Sequence, residues 1–183
     1  MTKISYGKNV YDNREIKAVI STLKKSTQMG RSVKKFENKI SRLFSKKFGF
    51  MVNSVSSALI LAFKILDLKK GSEVITPCLN FGTAVSSIIL SDLKPIFVDC
   101  EIETLQIDIK KIEKKITRKT KALLIPNLIG NLPNWIEIRK LANKHQLTSI
   151  EDSADTLGGK IENKSTGSFS DISITSFYGS HII

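Results

Sequence analysis

The sequence predicts an α/β protein with a mostly parallel central sheet and helices on both of its faces. Three observations predict it. Short apolar runs of strand length alternate with stretches of helical period from about residue 48 onward. Two of those runs stop on proline, Pro77 and Pro126, which cannot donate to a ladder. The composition, 183 residues with 41% hydrophobic and 25% charged side chains, suits one domain large enough for a sizeable core. Strands separated by helices favour a parallel arrangement, because a crossover helix brings the chain back to the same end of the sheet.

Taken in order, residues 12–25 predict a helix, with Ile16, Val19, Ile20 and Leu23 at helical spacing. Gly30 breaks that pattern. Ser32 is the expected cap of a second helix that carries Val33, Phe36, Ile40, Leu43 and Phe44. Residues 49–52 read as a short buried strand, and Ala58, Leu59, Ala62, Phe63 and Leu66 give a third helical face. Further strands are expected at 73–76, 95–99, 122–125, 147–151 and 172–177. Helices are expected at 82–90, 109–116 and 133–145. Pro133 suits a first helical turn, where its missing N–H costs nothing.

The formal net charge is +12, which attracts polyanions in general. The lysines are scattered in short pairs such as Lys24-Lys25 and Lys114-Lys115, with no basic block interleaved with aromatics. That reads as solvated helix faces, and no nucleic-acid partner is expected. Cys78 and Cys100 are too few for a disulfide framework and lack metal-ligand spacing, so no metal is expected and a reduced, cytoplasmic setting is the default. The first residues show no apolar signal segment, and the run at 84–90 is far too short to span a bilayer. No membrane partner is expected.

The chemistry-bearing residues fall where strands end. In open α/β sheets, ligands bind outside the carboxyl ends of the strands. Asn53-Ser54-Val55-Ser56-Ser57 lies where a strand hands over to a helix, and the free N–H groups of a first turn favour an anion. The segment reads as a phosphate cradle or as a plain serine cap. Phe81 reads as a stacking platform for a planar ligand or as a core aromatic. Asp152 reads as a carboxylate paired with a protonated ring nitrogen, or, with Ser153, as a helix cap. Ser176 adds a hydroxyl near the end of the last strand, and His181 adds a basic group. An anion cradle, an aromatic platform, a carboxylate and a base together describe a phosphorylated aromatic cofactor such as pyridoxal phosphate.

The ordered set Asn53-Ser54-Val55-Ser56-Ser57-Ala58-Leu59, Glu73-Val74-Ile75-Thr76-Pro77, Lys94-Pro95-Ile96-Phe97-Val98-Asp99, Glu151-Asp152-Ser153-Ala154-Asp155 and Ser176-Phe177-Tyr178-Gly179-Ser180-His181 resembles the DegT/DnrJ/EryC1/StrS family. The resemblance covers essentially the whole chain. It implies the three-layer large domain of a fold type I pyridoxal-phosphate enzyme, in a family core roughly twice this length. The chain is then expected to be the N-terminal part of that domain, incomplete at its C-terminus, with a small C-terminal domain beyond it and a homodimer as the working unit.

By the same resemblance, Ser56 and Ser57 would contact the cofactor phosphate, Phe81 would stack on the ring and Asp152 would pair with the pyridine nitrogen. Asp155 falls where the family has a Gln or His near the ring hydroxyl, and Ser176 would help hold the phosphate. Two positions depart from the family pattern. Val55 stands where a glycine is usual, and a β-branched residue is costly if that backbone needs positive φ. His181 stands where aminotransferases carry the lysine that bonds covalently to the cofactor, which imidazole cannot do. Histidine there resembles the 4-keto-6-deoxyhexose 3-dehydrase branch, which uses pyridoxamine phosphate and removes the 3-hydroxyl of a nucleotide-activated sugar in deoxysugar and polysaccharide biosynthesis. A histidine titrating near neutral pH suits the base of that reaction. The alternatives are a sugar aminotransferase of the same family and a truncated, inactive paralogue.

Overall fold

The computed structural model describes residues 10–25, 27, 28 and 30–179. Helix α1 (Asn13–Lys25) follows Asp12, whose carboxylate accepts the Arg14 N–H at 2.7 Å. Its stripe of Ile16, Val19, Ile20 and Leu23 is exposed among the described residues. Helix α2 (Arg31–Leu43) starts one residue before Ser32, with Gly30 at its cap and no side-chain bond there. Ser32 therefore lies inside the helix and caps nothing.

Helix α3 (Val55–Leu66) is capped by Ser54 and buries Leu59, Ala62 and Phe63. It ends on Asp67 in the left-handed region, and the chain turns through Gly71, also at positive φ, into β1 (Glu73–Pro77). All five residues of β1 are buried. Helix α4 (Gly82–Leu90) leaves the carboxyl end of β1 and returns the chain to β2 (Lys94–Val98). Next come the short α5 (Ile109–Ile112), β3 (Thr120–Pro126), α6 (Trp135–His145) and β4 (Thr148–Ser153). A small hairpin of β5 (Lys160–Ile161) and β6 (Lys164–Ser165) precedes β7 (Ile172–Thr175).

Five strands form one sheet in the order β2-β1-β3-β4-β7, and every pair is parallel. The order reverses at β1, which pairs with β2 on one side and β3 on the other, making a switch point of the kind that opens a crevice at the carboxyl edge. Because side chains alternate along a strand, two cores result. Val74, Ala122, Leu124, Ile150 and Ile174 pack with α3 and α4. Ile75, Leu123, Ile125 and Val98 pack with Trp135, Ile138 and Ala142 of α6 on the other face.

The boundaries differ from the sequence expectation in instructive places. Helix α6 begins at Trp135 because Asn134 accepts the Glu137 N–H at 3.2 Å, which leaves Pro133 just outside the helix. The helix expected at 109–116 stops at Ile112 and tightens into a 3-10 turn at Glu113–Lys115. Strand β4 runs on through Ser153, so Asp152 and Ser153 are strand residues and cap no helix. Residues 49–52 form no ladder, although Phe48, Phe50 and Val52 alternate as a strand would. Pairing needs a neighbour, and the outer edge of β7, which shares walls of one cavity with these residues, has no partner among the described residues. Phe48 and Phe50 are exposed as a consequence. Nearby, a Cβ on Gly167 would run into the carbonyl of Phe44, so only glycine allows that close approach.

Candidate active site

The first turns of α3 and α4 and the end of β4 lie at the carboxyl edge of the sheet. Helix α3 ends at Leu66 and feeds β1, so it runs against the strands and its first turn lies at their carboxyl edge. Helix α4 starts from the carboxyl end of β1, so its first turn lies at the same edge, and α3 and α4 pack together. In β4, Ile150 belongs to the core beneath α3 and α4, and strand alternation puts Asp152 on that face too. Asp152 is in register with Ile174 of β7, two residues before Ser176.

Asp152 is 6% exposed, and its Oδ1 accepts the Ala154 N–H at 3.1 Å. Burial raises its carboxyl from 3.8 to about 6, the nearby Asp155 and Glu151 push the same way, and the Ala154 N–H opposes them. No lysine or arginine pairs with it among the described residues. A buried carboxylate without a cation is costly, so a positively charged group beside Asp152 would be favoured.

At the head of α3, Ser54 Oγ accepts the Ser57 N–H at 3.1 Å, and the Ala58 N–H goes to the Ser54 carbonyl at 3.0 Å. The N–H groups of Val55 and Ser56, and the Ser56 hydroxyl, take no protein acceptor among the described residues. Ser57 Oγ accepts from Ser54 Oγ at 3.1 Å. Two free donors at a helix N-terminus with hydroxyls beside them make an anion site. Val55 is the first residue of α3 and is absent from the residues with positive φ, so its β-branched side chain is unstrained and rests on the core under α3.

Ser176 is buried, accepts the Tyr178 N–H at 3.1 Å, and lines a cavity of about 630 Å³ together with Ser54 and Val55. That cavity brings the end of β7 to the head of α3, whereas Ser56, Ser57, Phe81, Asp152 and Asp155 lie outside its walls. Phe81 is the residue before α4 and is 72% exposed, so it is no core aromatic. Its N–H is held by Asn80 Oδ1 at 2.8 Å, while Asn80 Nδ2 bonds the buried Thr76 hydroxyl at 2.9 Å. Asp155 Oδ2 accepts the Ile129 N–H at 3.3 Å. His181 lies outside the described residues.

A polar network that the sequence did not single out lies on the other face of the sheet from Asp152, against α6. Glu151, fully buried on the α6 face, accepts from Asn127 Nδ2 at 2.8 Å, Ser153 Oγ at 2.8 Å, Ser170 Oγ at 3.1 Å and Ser173 Oγ at 2.7 Å. Asn127 in turn accepts the Trp135 indole N–H at 2.7 Å. Lys46 reaches the Ser170 hydroxyl at 3.2 Å. Burial lowers its ammonium below the ordinary lysine value, and the fields of Glu151 and Asp171 oppose that shift. The available sequence signals were a polar residue directly after an apolar strand and a lone tryptophan whose indole N–H needs an acceptor.

Residues 9–183 match the pattern of the DegT/DnrJ/EryC1/StrS aminotransferase family. The chain belongs to that family. It is 35% identical over 182 residues to GDP-4-keto-6-deoxy-D-mannose 3-dehydratase of Escherichia coli O55:H7, covering 95% of this chain and 47% of the relative. It is 38% identical over 154 residues to GDP-perosamine synthase of Escherichia coli O157:H7, covering 84% and 42%. Among solved structures, a mutant GDP-4-keto-6-deoxymannose 3-dehydratase with bound GDP-perosamine aligns with a TM-score of 0.91 at 33% identity, over 96% of this chain and 47% of that one. The Escherichia coli 3-dehydratase with bound hydrated pyridoxal phosphate aligns with a TM-score of 0.84 at 33% identity, over 90% and 44%. The family member described here spans about half the length of the curated relatives it matches. Among the described residues, no helix is long and apolar enough to cross a membrane.

Proposed function

We propose that this chain serves a pyridoxal- or pyridoxamine-phosphate-dependent enzyme that removes the C3 hydroxyl of a nucleotide-activated 4-keto-6-deoxy sugar. The observation that carries the reading is Asp152, a buried carboxylate with no cationic partner among the described residues, at the sheet edge that also carries the α3 anion site. A protonated pyridine nitrogen is the cation that such a carboxylate lacks, and a phosphate suits the free N–H groups of Val55 and Ser56. When bound, the cofactor supplies an electron sink for charge that develops on the sugar.

The chain's own residues divide the remaining work. Asp152 holds the proton on the ring nitrogen. Ser56, Ser57 and Ser176 bind the phosphate through their hydroxyls, and Phe81 orients the ring by stacking on it. Asp155 stands at the ring hydroxyl. His181 takes and returns the proton whose loss drives departure of the 3-hydroxyl, a role suited to an imidazole near its ordinary pKa. Support for this branch comes from His181 at the covalent-lysine position of the family pattern and from relatives named as 3-dehydratases. A second reading, transfer of an amino group to the same class of sugar, is favoured by the relative named GDP-perosamine synthase.

The proposal extends to the setting. The chain is the N-terminal part of a larger cofactor-binding domain, supported by its half-length match to its relatives. The unit works as a cytoplasmic homodimer in making sugars for surface polysaccharide. A 39% identical relative named lipopolysaccharide biosynthesis protein RfbH supports that last point.

The test is product analysis with GDP-4-keto-6-deoxymannose, pyridoxamine phosphate and glutamate. Loss of the 3-hydroxyl by the wild type, slowed by about 10²–10⁴ in His181→Asn, is the expected result. An amino sugar as the product gives the reaction to the second reading. Wild-type rates in His181→Asn refute the role of His181.

A further inference from the structure

Asn127 follows directly after β3 and is 1% exposed. Every polar group it has is engaged. Its Nδ2 donates to Glu151 Oε1 at 2.8 Å and to Ser153 Oγ at 2.7 Å, and its Oδ1 accepts the Trp135 indole N–H at 2.7 Å. Its backbone N–H donates to the Asp152 carbonyl at 2.8 Å, and its carbonyl accepts the Thr156 hydroxyl at 3.0 Å. One side chain thus grips residues 151 and 153 from the α6 face while its backbone grips residue 152. Successive strand residues point to opposite faces, so fixing Glu151 and Ser153 on one face fixes the aim of Asp152 toward the other.

We propose that Asn127 is the positioning residue for Asp152, locking the end of β4 so that this carboxylate faces the ligand edge between α3 and α4. The inference rests on the proposed role of Asp152. The grip requires a side chain that donates to a carboxylate and accepts from an indole at once, which only an amide of this length provides. Supporting shells of this kind hold a functional group to within the tolerance its ligand needs.

The test is an exchange of chemistry between two residues. Asn127→Asp puts a second carboxylate 2.8 Å from Glu151 Oε1 and breaks the grip. Asn127→Asp with Glu151→Gln restores it with donor and acceptor reversed, because the new carboxylate accepts from Trp135, Ser153 and the new amide. Three readouts are taken on each protein: the dissociation constant for pyridoxamine phosphate, that for inorganic phosphate, and the titration of the Asp152 carboxyl by carbon NMR. Asn127→Asp is expected to weaken pyridoxamine phosphate about tenfold or more and to leave inorganic phosphate within about twofold, since the α3 site is untouched. The double variant is expected to regain wild-type affinity within about threefold, with Asp152 again titrating at about 6.

Equal weakening of both ligands, no weakening, or a folded double variant that does not recover overturns the proposal. If Asn127→Asp does not fold, the double variant decides alone: it must fold and bind, or the proposal fails. If the wild type binds no pyridoxamine phosphate, the proposed function falls, and the Asp152 titration then judges positioning by itself. A titration unchanged in Asn127→Asp overturns it.

Discussion

Replacing Asp152 by asparagine should stabilise the protein at neutral pH and do almost nothing at about pH 3. In the folded chain this carboxyl titrates at about 6, against 3.8 for an exposed aspartate. Below about pH 3 it is protonated in both states and contributes almost no difference. Between pH 4 and 6 the unfolded chain ionises while the folded one does not, which favours unfolding. Above pH 6 both are ionised and the folded state bears the full cost, about 3 kcal/mol. A raised carboxyl pKa therefore removes stability as pH rises through this window. Asparagine keeps an oxygen for the Ala154 N–H and lacks the charge. The melting temperature of Asp152→Asn should thus exceed that of the wild type by roughly 6–12 °C at pH 7, with the difference vanishing at about pH 3. Thermal denaturation by circular dichroism from about pH 3 to about pH 8 measures it. A difference independent of pH, or a less stable variant at pH 7, would refute the argument. The same substitution should weaken binding of the pyridine cofactor, a stability–function trade-off at a single side chain.

Other expectations follow from individual contacts. Ser54→Ala removes the cap of α3 and should cost about 1 kcal/mol in chemical denaturation, with weaker binding of inorganic phosphate. Gly167→Ala should be severely destabilising, because the added carbon meets the Phe44 backbone; soluble expression with an unchanged melting temperature would contradict the packing. Val55→Gly should give no gain in phosphate affinity, since Val55 is unstrained, and should lower stability by about 1 kcal/mol through lost packing and helix propensity.

Most of the architecture was legible because its cause is local. The strands expected at 73–76 and 122–125 are the buried central strands 73–77 and 120–126. The helical faces of α3 and α6 were equally plain, because Leu59, Ala62 and Phe63, like Trp135, Ile138 and Ala142, sit at helical spacing. Residues 49–52 were misread because alternation reports a preference for a pleated surface, while a ladder also needs a neighbour that a local pattern cannot supply. At the site, Asp152 and the serines of α3 were visible as polar residues at strand ends. Asn127, Glu151 and Trp135 were not, since their meaning lies in contacts between β3, β4 and α6 that are distant in sequence. The boundary at Pro133 was settled by a competing cap, Asn134, one residue on.

The proposed function stands on Asp152 pairing with a protonated ring beside a phosphate site. Calorimetric titration of pyridoxamine phosphate at pH 7 into the wild type and Asp152→Ala tests it most directly, because this amine form cannot react with surface lysines. Saturable binding by the wild type is expected, with at least about tenfold weaker binding by the variant and equal affinity of the two for inorganic phosphate. Equal affinity of both proteins for pyridoxamine phosphate, or no binding by the wild type, would contradict it.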